Sequence, residues 1–166
     1  STWGVWLVAG RASTLRSLHG LLRSNGVDKR YLCLVSGRWP AHLKRVDAPL
    51  EKFALPSGER RVKVAATGRQ SLTTFRVVTR WSSMTFVEAK PVTGRTHQIR
   101  VHCQHAGFPI LGDAKYADDA ADRLAEKLRL KRLFLHAASL SFRHEEQNYS
   151  LQAALPLELQ RLIDSA

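Results

Sequence analysis

Residues 94–102 read Gly-Arg-Thr-His-Gln-Ile-Arg-Val-His, with Cys103 and His105 directly after. Side chains of these types can bind a phosphate, hold a metal ion or pair with a carboxylate. On a helical wheel begun at Thr96, Ile99, Cys103 and Ala106 define the packed face. Arg100 falls about a quarter turn from its centre, on the border between core and solvent. A guanidinium there is half-buried and seeks a carboxylate or a phosphate. A pairing with a core carboxylate for stability alone meets the same demand. Arg95 and Thr96 sit at the helix entry, where side-chain donors and backbone N–H groups either bind phosphate or cap the turn.

The metal reading is the weakest of the three. Residues 97, 102 and 105 point to different sides of a helix, and no C-x-x-C or H-E-x-x-H pattern is present. A serine or cysteine nucleophile finds no G-x-S-x-G element, and neither cysteine has a cationic, exposed setting. No glycine loop of the phosphate-cradling kind occurs.

The whole chain sets the context for this stretch. Its 166 residues fit one domain, and 44% apolar content fills a core. Lys and Arg number 26 against 14 Asp and Glu, a net charge of +12, so the surface attracts polyanions, with nucleic acid the default partner. A charge scattered for solubility is the plainer reading. Cys33 and Cys103 lie in apolar surroundings and read as small buried hydrophobes, which fits a reducing cytoplasm. No apolar run approaches the ~18 to 20 residues that span a bilayer.

The positioning elements follow from periodicity. GVWLVA (4–9) reads as a buried strand, and Leu15, Leu18, Leu21 and Leu22 as one stripe of a helix from Ser13 to Asn25-Gly26. Tyr31, Cys33 and Val35 alternate with Leu32 and Leu34 in a strand closed by Ser36-Gly37. Residues 38–70 read as a basic excursion from the core: between 38 and 80 there are ten Arg or Lys and three acids. LTTFRVVTRW (72–81) and MTFVEAK (84–90) form a hairpin. Helices follow over 96–106 and 118–130, the second with aspartates at its start and cations at its end. Strands are expected over 132–142 and 149–155, and a last helix opens at Pro156. Strands outnumber helices without regular alternation, so the expected class is α+β with a mixed, largely antiparallel sheet and flanking helices.

KPVTGRTHQIRVH (90–102), AGFPILGDAKY (106–116), RLFLHA (132–137) and KRYLCLVSG (29–37) together resemble, in order, the RluA/RluC-type family of pseudouridine synthases, nearest the subgroup acting on large-subunit (23S) ribosomal RNA. The resemblance implies an isomerase that breaks the N1–C1′ bond of a uridine, turns the uracil and rejoins it through C5, with neither cofactor nor metal. It implies an aspartate nucleophile, a tyrosine that stacks on the base and serves in proton transfer, and an arginine paired with the aspartate. By motif position Tyr31 resembles the tyrosine and Arg100 the arginine. Without the motif Tyr31 would read as an ordinary strand residue with its hydroxyl at the surface. Ile110 and Leu135 are expected as apolar walls for an extruded uracil, and Lys29, Arg95 and Thr96 as RNA contacts.

One departure stands out. The family's nucleophile lies in H-R-L-D-x-x-T-S-G, and Ser1-Thr2-Trp3-Gly4 fits only the end of that motif, with Trp3 in place of serine. The aspartate would fall two positions ahead of Ser1. Residues 1–166 are thus expected to be an N-terminally truncated catalytic domain without a separate RNA-binding module, inactive by itself. Asp113, after the Gly112 turn, reads as a structural turn residue rather than a replacement nucleophile. A non-catalytic basic RNA-binding module is the other function the residues allow.

Overall fold

The computed structural model describes residues 3–4 and 26–166. Apart from Gly4, the strand expected over 4–9 lies outside the described residues, and so does the helix from Ser13 to Asn25. The strands are β1 (Trp3–Gly4), β2 (Val27–Ser36), β3 (Arg45–Asp47), β4 (Leu50–Ala54), β5 (Arg60–Val64), β6 (Leu72–Arg80), β7 (Met84–Pro91), β8 (Leu135–His144) and β9 (Gln147–Gln152). The helices are α1 (Gln98–His105), α2 (Asp119–Lys127) and α3 (Leu157–Ser165).

Seven strands form one sheet in the order β1-β8-β2-β7-β6-β3, with β9 also paired to β8, while β4 and β5 make a separate hairpin. Every pairing is antiparallel except that of β1, which runs parallel to β8 with Trp3 opposite His136 and Gly4 opposite Ala137. The fold is α+β with a largely antiparallel sheet, as the pattern of elements requires.

Period-two alternation in β2 divides the core. Cys33 and Val35 pack with Ile99 and Cys103 of α1, and Tyr31 lies against the same cluster. Leu34 faces the opposite side with Ala121 and Ala125 of α2 and Leu159 of α3, and Leu32 packs there too. The sheet is therefore a middle layer, with α1 on one face and α2 and α3 on the other. Both cysteines are free and fully buried.

The basic excursion expected over 38–70 is corrected by the structure. Trp39, Val46 and Ala48 are core residues, and β3 extends the main sheet. Trp39 is 1% exposed, lies 4.5 Å from the Phe75 ring and donates its indole N–H to the Leu43 carbonyl at 2.8 Å. Leu50 and Val62 of the β4–β5 hairpin pack against Val101 of α1 and Tyr116. Each of these apolar residues stands alone among charged neighbours that point outward, so the segment carries one inward contact at a time and no run that betrays it.

Two boundaries differ from those expected, the first of them at the site. The helix expected from Thr96 begins at Gln98, because His97 takes a left-handed conformation (φ 53, ψ 22) and holds Arg95 and Thr96 in the preceding turn. The last hairpin closes at Glu145-Glu146, where both residues have positive φ (50 and 62), a two-residue turn of the kind glycine and asparagine favour. In α2 the Asp118 carboxylate accepts the Ala121 N–H at 2.8 Å, capping the helix where the acidic start was expected.

Candidate functional site

One cleft of about 310 Å³ opens where β2, the end of β7, the 92–97 loop, α1 and the start of β8 converge. That is the lower end of the range for ligand-sized pockets. Lys29, Tyr31, Arg95, Arg100 and Leu135 line it, with His97, Gln98 and Ile99. Five of the seven expected site residues thus come together from three distant parts of the chain. The other two lie elsewhere. Ile110, expected as a second apolar wall, is buried and forms an isolated bridge with Val35, and Thr96 is exposed in the turn before α1.

Arg100 has a carboxylate partner within the chain, which the sequence reading gave only a turn role. Its Nε and Nη2 each donate to Asp113, at 2.8 Å and 2.8 Å, a bidentate pair of the strong kind. The Asp113 side chain is 0% exposed and that of Arg100 16%. Burial alone would raise the Asp113 pKa, but Arg100 and the backbone N–H groups of Lys115 and Tyr116 outweigh it and hold the carboxyl below its ordinary value. Gly112 sets up this placement: its φ is +80, and a Cβ there would overlap the carbonyl oxygen of Arg132. With two of five guanidinium hydrogens committed to Asp113, the Nη1 pair and one Nη2 hydrogen of Arg100 have no partner among the described residues.

Tyr116 seats the same guanidinium, whose carbon lies 5.0 Å from the ring centroid. The Tyr116 oxygen accepts the Val62 N–H at 3.0 Å and lies 2.7 Å from His97 Nδ1. The β4–β5 hairpin, the 113–116 turn and the head of α1 are therefore joined at one phenol. Sequence reasoning passed over Tyr116 and gave Asp113 only a turn role; the signal was the Asp113-x-x-Tyr116 spacing, which aims both side chains back at α1.

Two polar residues of α1, Gln98 and His102, are fully hydrogen-bonded within the protein. Gln98 is buried; its Oε1 accepts from Thr93 Oγ1 (2.7 Å) and the Arg95 N–H (3.0 Å), and its Nε2 donates to the Leu72 carbonyl (2.8 Å) and Thr73 Oγ1 (3.0 Å). His102 Nε2 donates to the Ala48 carbonyl at 2.9 Å, which fixes the tautomer, so the Thr73 hydroxyl donates to Nδ1 at 2.7 Å. Burial keeps this imidazole below its usual pKa. These bonds pin the 92–97 loop to β6. No group of three or more His, Cys, Asp or Glu among the described residues is arranged to hold a metal.

The rest of the cleft is a mixed wall. Leu135 is buried, while Tyr31 is partly buried, with a phenol pKa raised by burial. Lys29 stands two residues before Tyr31 and so shares its face of β2; burial lowers its ammonium pKa, and it has no ion-pair partner among the described residues. Neighbouring Arg30 is taken by Asp28 and Glu88. Arg95 donates its Nε to the Gln70 carbonyl at 3.1 Å, leaving its terminal nitrogens toward solvent. An aromatic ring, an apolar wall and several cations without an acid in the lining can accept a planar group joined to a polyanion.

A family model described as RNA pseudouridylate synthase matches residues 1–105. Ribosomal large subunit pseudouridine synthase C of Pasteurella multocida is 50% identical over 157 residues, covering 95% of this chain and 48% of that protein. Its namesake in Escherichia coli is 49% identical over 159 residues, 95% of this chain and 50% of the relative. The chain spans about half the length of these curated relatives. Among solved structures, human RNA pseudouridylate synthase domain containing 4 superposes with a TM-score of 0.71 at 27% identity, covering 92% of this chain and 69% of that one. Human RNA pseudouridylate synthase domain containing 1 gives 0.72 at 20% identity over 98% and 80% of the two chains, a likeness of fold. With its fold matched by two such structures and the family model covering the segment that carries Tyr31 and Arg100, the chain belongs to the RNA pseudouridylate synthase family.

Proposed function

We propose that residues 1–166 form most of the catalytic domain of an enzyme that converts uridines of large-subunit ribosomal RNA to pseudouridine, with its nucleophilic carboxylate on the segment preceding Ser1. The uracil N1–C1′ bond breaks, the base turns, C5 bonds to C1′, and the C5 hydrogen leaves as a proton while N1 gains one. Tyr31 stacks on the extruded base and takes part in the proton transfer; burial keeps its phenol protonated at neutral pH. The uncommitted Nη1 of Arg100 meets the incoming carboxylate and favours its ionised form. Asp113 holds the guanidinium in place from behind. Lys29 and Arg95 contact the RNA backbone, and Leu135 walls the base.

The observation that carries this reading is the parallel pairing of β1 with β8. Trp3 lies opposite His136, the neighbour of Leu135, which lines the cleft with Tyr31 and Arg100. An aspartate two positions ahead of Ser1 is four residues from Trp3, within ~14 Å along an extended chain. The second reading, RNA binding without turnover, applies to the 166 residues taken alone. It is favoured by Asp113, the acid bonded to Arg100 of the cleft, being locked by both of its oxygens rather than free to attack.

Ribosomal RNA tritiated at uracil C5 tests the proposal. A chain carrying its natural upstream segment releases tritium, and the 166-residue chain binds the RNA without release. In the extended chain R100A abolishes release and leaves salt-sensitive binding largely intact, because binding is spread over many phosphates. Release by the 166-residue chain would move the chemistry to an internal acid, and full activity of Tyr31→Phe would remove the proton-transfer role.

A further inference from the structure

We propose that His97 is an RNA-contact residue, presenting a neutral Nε2–H to a phosphodiester oxygen of the strand bound in the cleft. This rests on the reading of the cleft as the RNA site and adds a residue to it. The tautomer follows from bonds already described. The Val62 amide can only donate, so the Tyr116 oxygen accepts there at 3.0 Å; its own hydrogen, on a residue 4% exposed, has no acceptor among the described residues other than His97 Nδ1 at 2.7 Å and is donated there. An Nδ1 that accepts puts the ring proton on Nε2. The two rings meet edge to face, with centroids 5.5 Å apart and planes at 71°. Nε2, on the far side of the imidazole, has no partner among the described residues, and His97 lines the cleft.

The conformation shows that this donor is held rather than incidental. His97 sits at φ 53 and ψ 22, a left-handed geometry uncommon for a residue with a side chain, and its anchor is the Tyr116 bond. Left-handed backbone at this one position starts α1 late and swings the imidazole to the cleft instead of along the helix.

Charge selects the acceptor. Lys29, Arg95 and Arg100 line the cleft with His97, and no acid does. Burial, then the charges of Arg100 and Lys115, keep the imidazole below its usual pKa, against a smaller opposing effect of Asp113. The ring therefore stays neutral near pH 7 as a donor. In that field an anionic oxygen is a stronger acceptor than a base carbonyl.

His97→Asn is the discriminating variant. Asparagine tolerates left-handed backbone, and its Oδ1 replaces Nδ1 as acceptor for Tyr116, while the Nε2 donor is lost. In the chain extended upstream, this variant should weaken binding of a ribosomal RNA fragment about tenfold, with the melting temperature retained. RNAs carrying a methylphosphonate at individual phosphates around the target uridine locate the contact: at one position the wild-type protein loses the same factor and the variant loses nothing further. Unchanged affinity in His97→Asn, or equal losses for both proteins at every methylphosphonate, overturns the proposal. Nitrogen NMR of the imidazole decides the tautomer without any RNA, and an Nδ1–H form would also refute it. These binding readouts stand whether or not tritium is released, so failure of the isomerase reading is seen separately.

Discussion

Asp113→Asn tests the ion pair that holds Arg100 from behind the cleft. Asp113 accepts four hydrogen bonds: two from Arg100 at 2.8 Å, and one each from the N–H groups of Lys115 (3.0 Å) and Tyr116 (3.1 Å), all with the side chain 0% exposed. Asparagine can keep the two backbone bonds through Oδ1, but its NH2 then faces the guanidinium, donor against donor. Breaking a buried pair from one side costs about 3–5 kcal/mol. Arg100 retains some access to water through the cleft, which puts the expected loss near the lower end, about 3 kcal/mol. For a domain of this size that lowers the melting temperature by roughly 6–12 °C. Denaturant unfolding of Asp113→Asn, Arg100→Met and the double variant completes the cycle: the losses should fall short of additive by about 2 kcal/mol, because the second change removes the charge stranded by the first. An Asp113→Asn protein within 1 kcal/mol of wild type, or additive losses, would refute the pairing as a source of stability.

Stability should fall on acidification in two stages. His102 has a folded pKa below its unfolded value, so its contribution is complete above about pH 6.5 and is lost as pH falls through the folded pKa, by at most about 1.4 kcal/mol per pH unit. Asp113, also depressed, contributes fully above about pH 4 and its contribution disappears below that; urea melts from pH 8 to pH 3 measure both stages. Gly112→Ala should cost about 3 kcal/mol or more, since positive φ and the overlap with the Arg132 carbonyl act together, and a variant that unfolds at the wild-type urea midpoint would contradict it. Glu145→Asn with Glu146→Gly should stabilise the β8–β9 hairpin by about 1–2 kcal/mol, because both native residues occupy left-handed backbone. A lower melting temperature for that pair of changes would count against the turn geometry.

The parts of this molecule legible in its sequence are those with a repeated signal. Alternation in 31–35 and in the 72–90 hairpin gave the sheet and assigned Cys33 and Leu34 to opposite faces. The aspartates around 118–122 marked the head of α2. Motif position singled out Tyr31 and Arg100, and both line one cleft together with Lys29, Arg95 and Leu135. What stayed hidden depends on contacts between segments that carry no pattern of their own. Trp39, Leu50 and Val62 are single apolar residues in charged stretches, and they become core only because β3 and the β4–β5 hairpin fold back onto the sheet and α1. The partner of Arg100 was masked for a similar reason. Asp113 follows a glycine turn and reads locally as turn chemistry, and only the threading of residues 110–113 beside β2 carries it under the guanidinium.

The most direct measurement is a structure of the chain with its natural segment ahead of Ser1. A carboxylate oxygen from that segment should lie within about 3.2 Å of Arg100 Nη1, in the cleft beside Tyr31 and Leu135, with the Asp113 pair intact behind it. An upstream segment that leaves β8 away from Leu135, with no acid reaching Arg100, would contradict the assignment of this cleft as the place where uridine is isomerised.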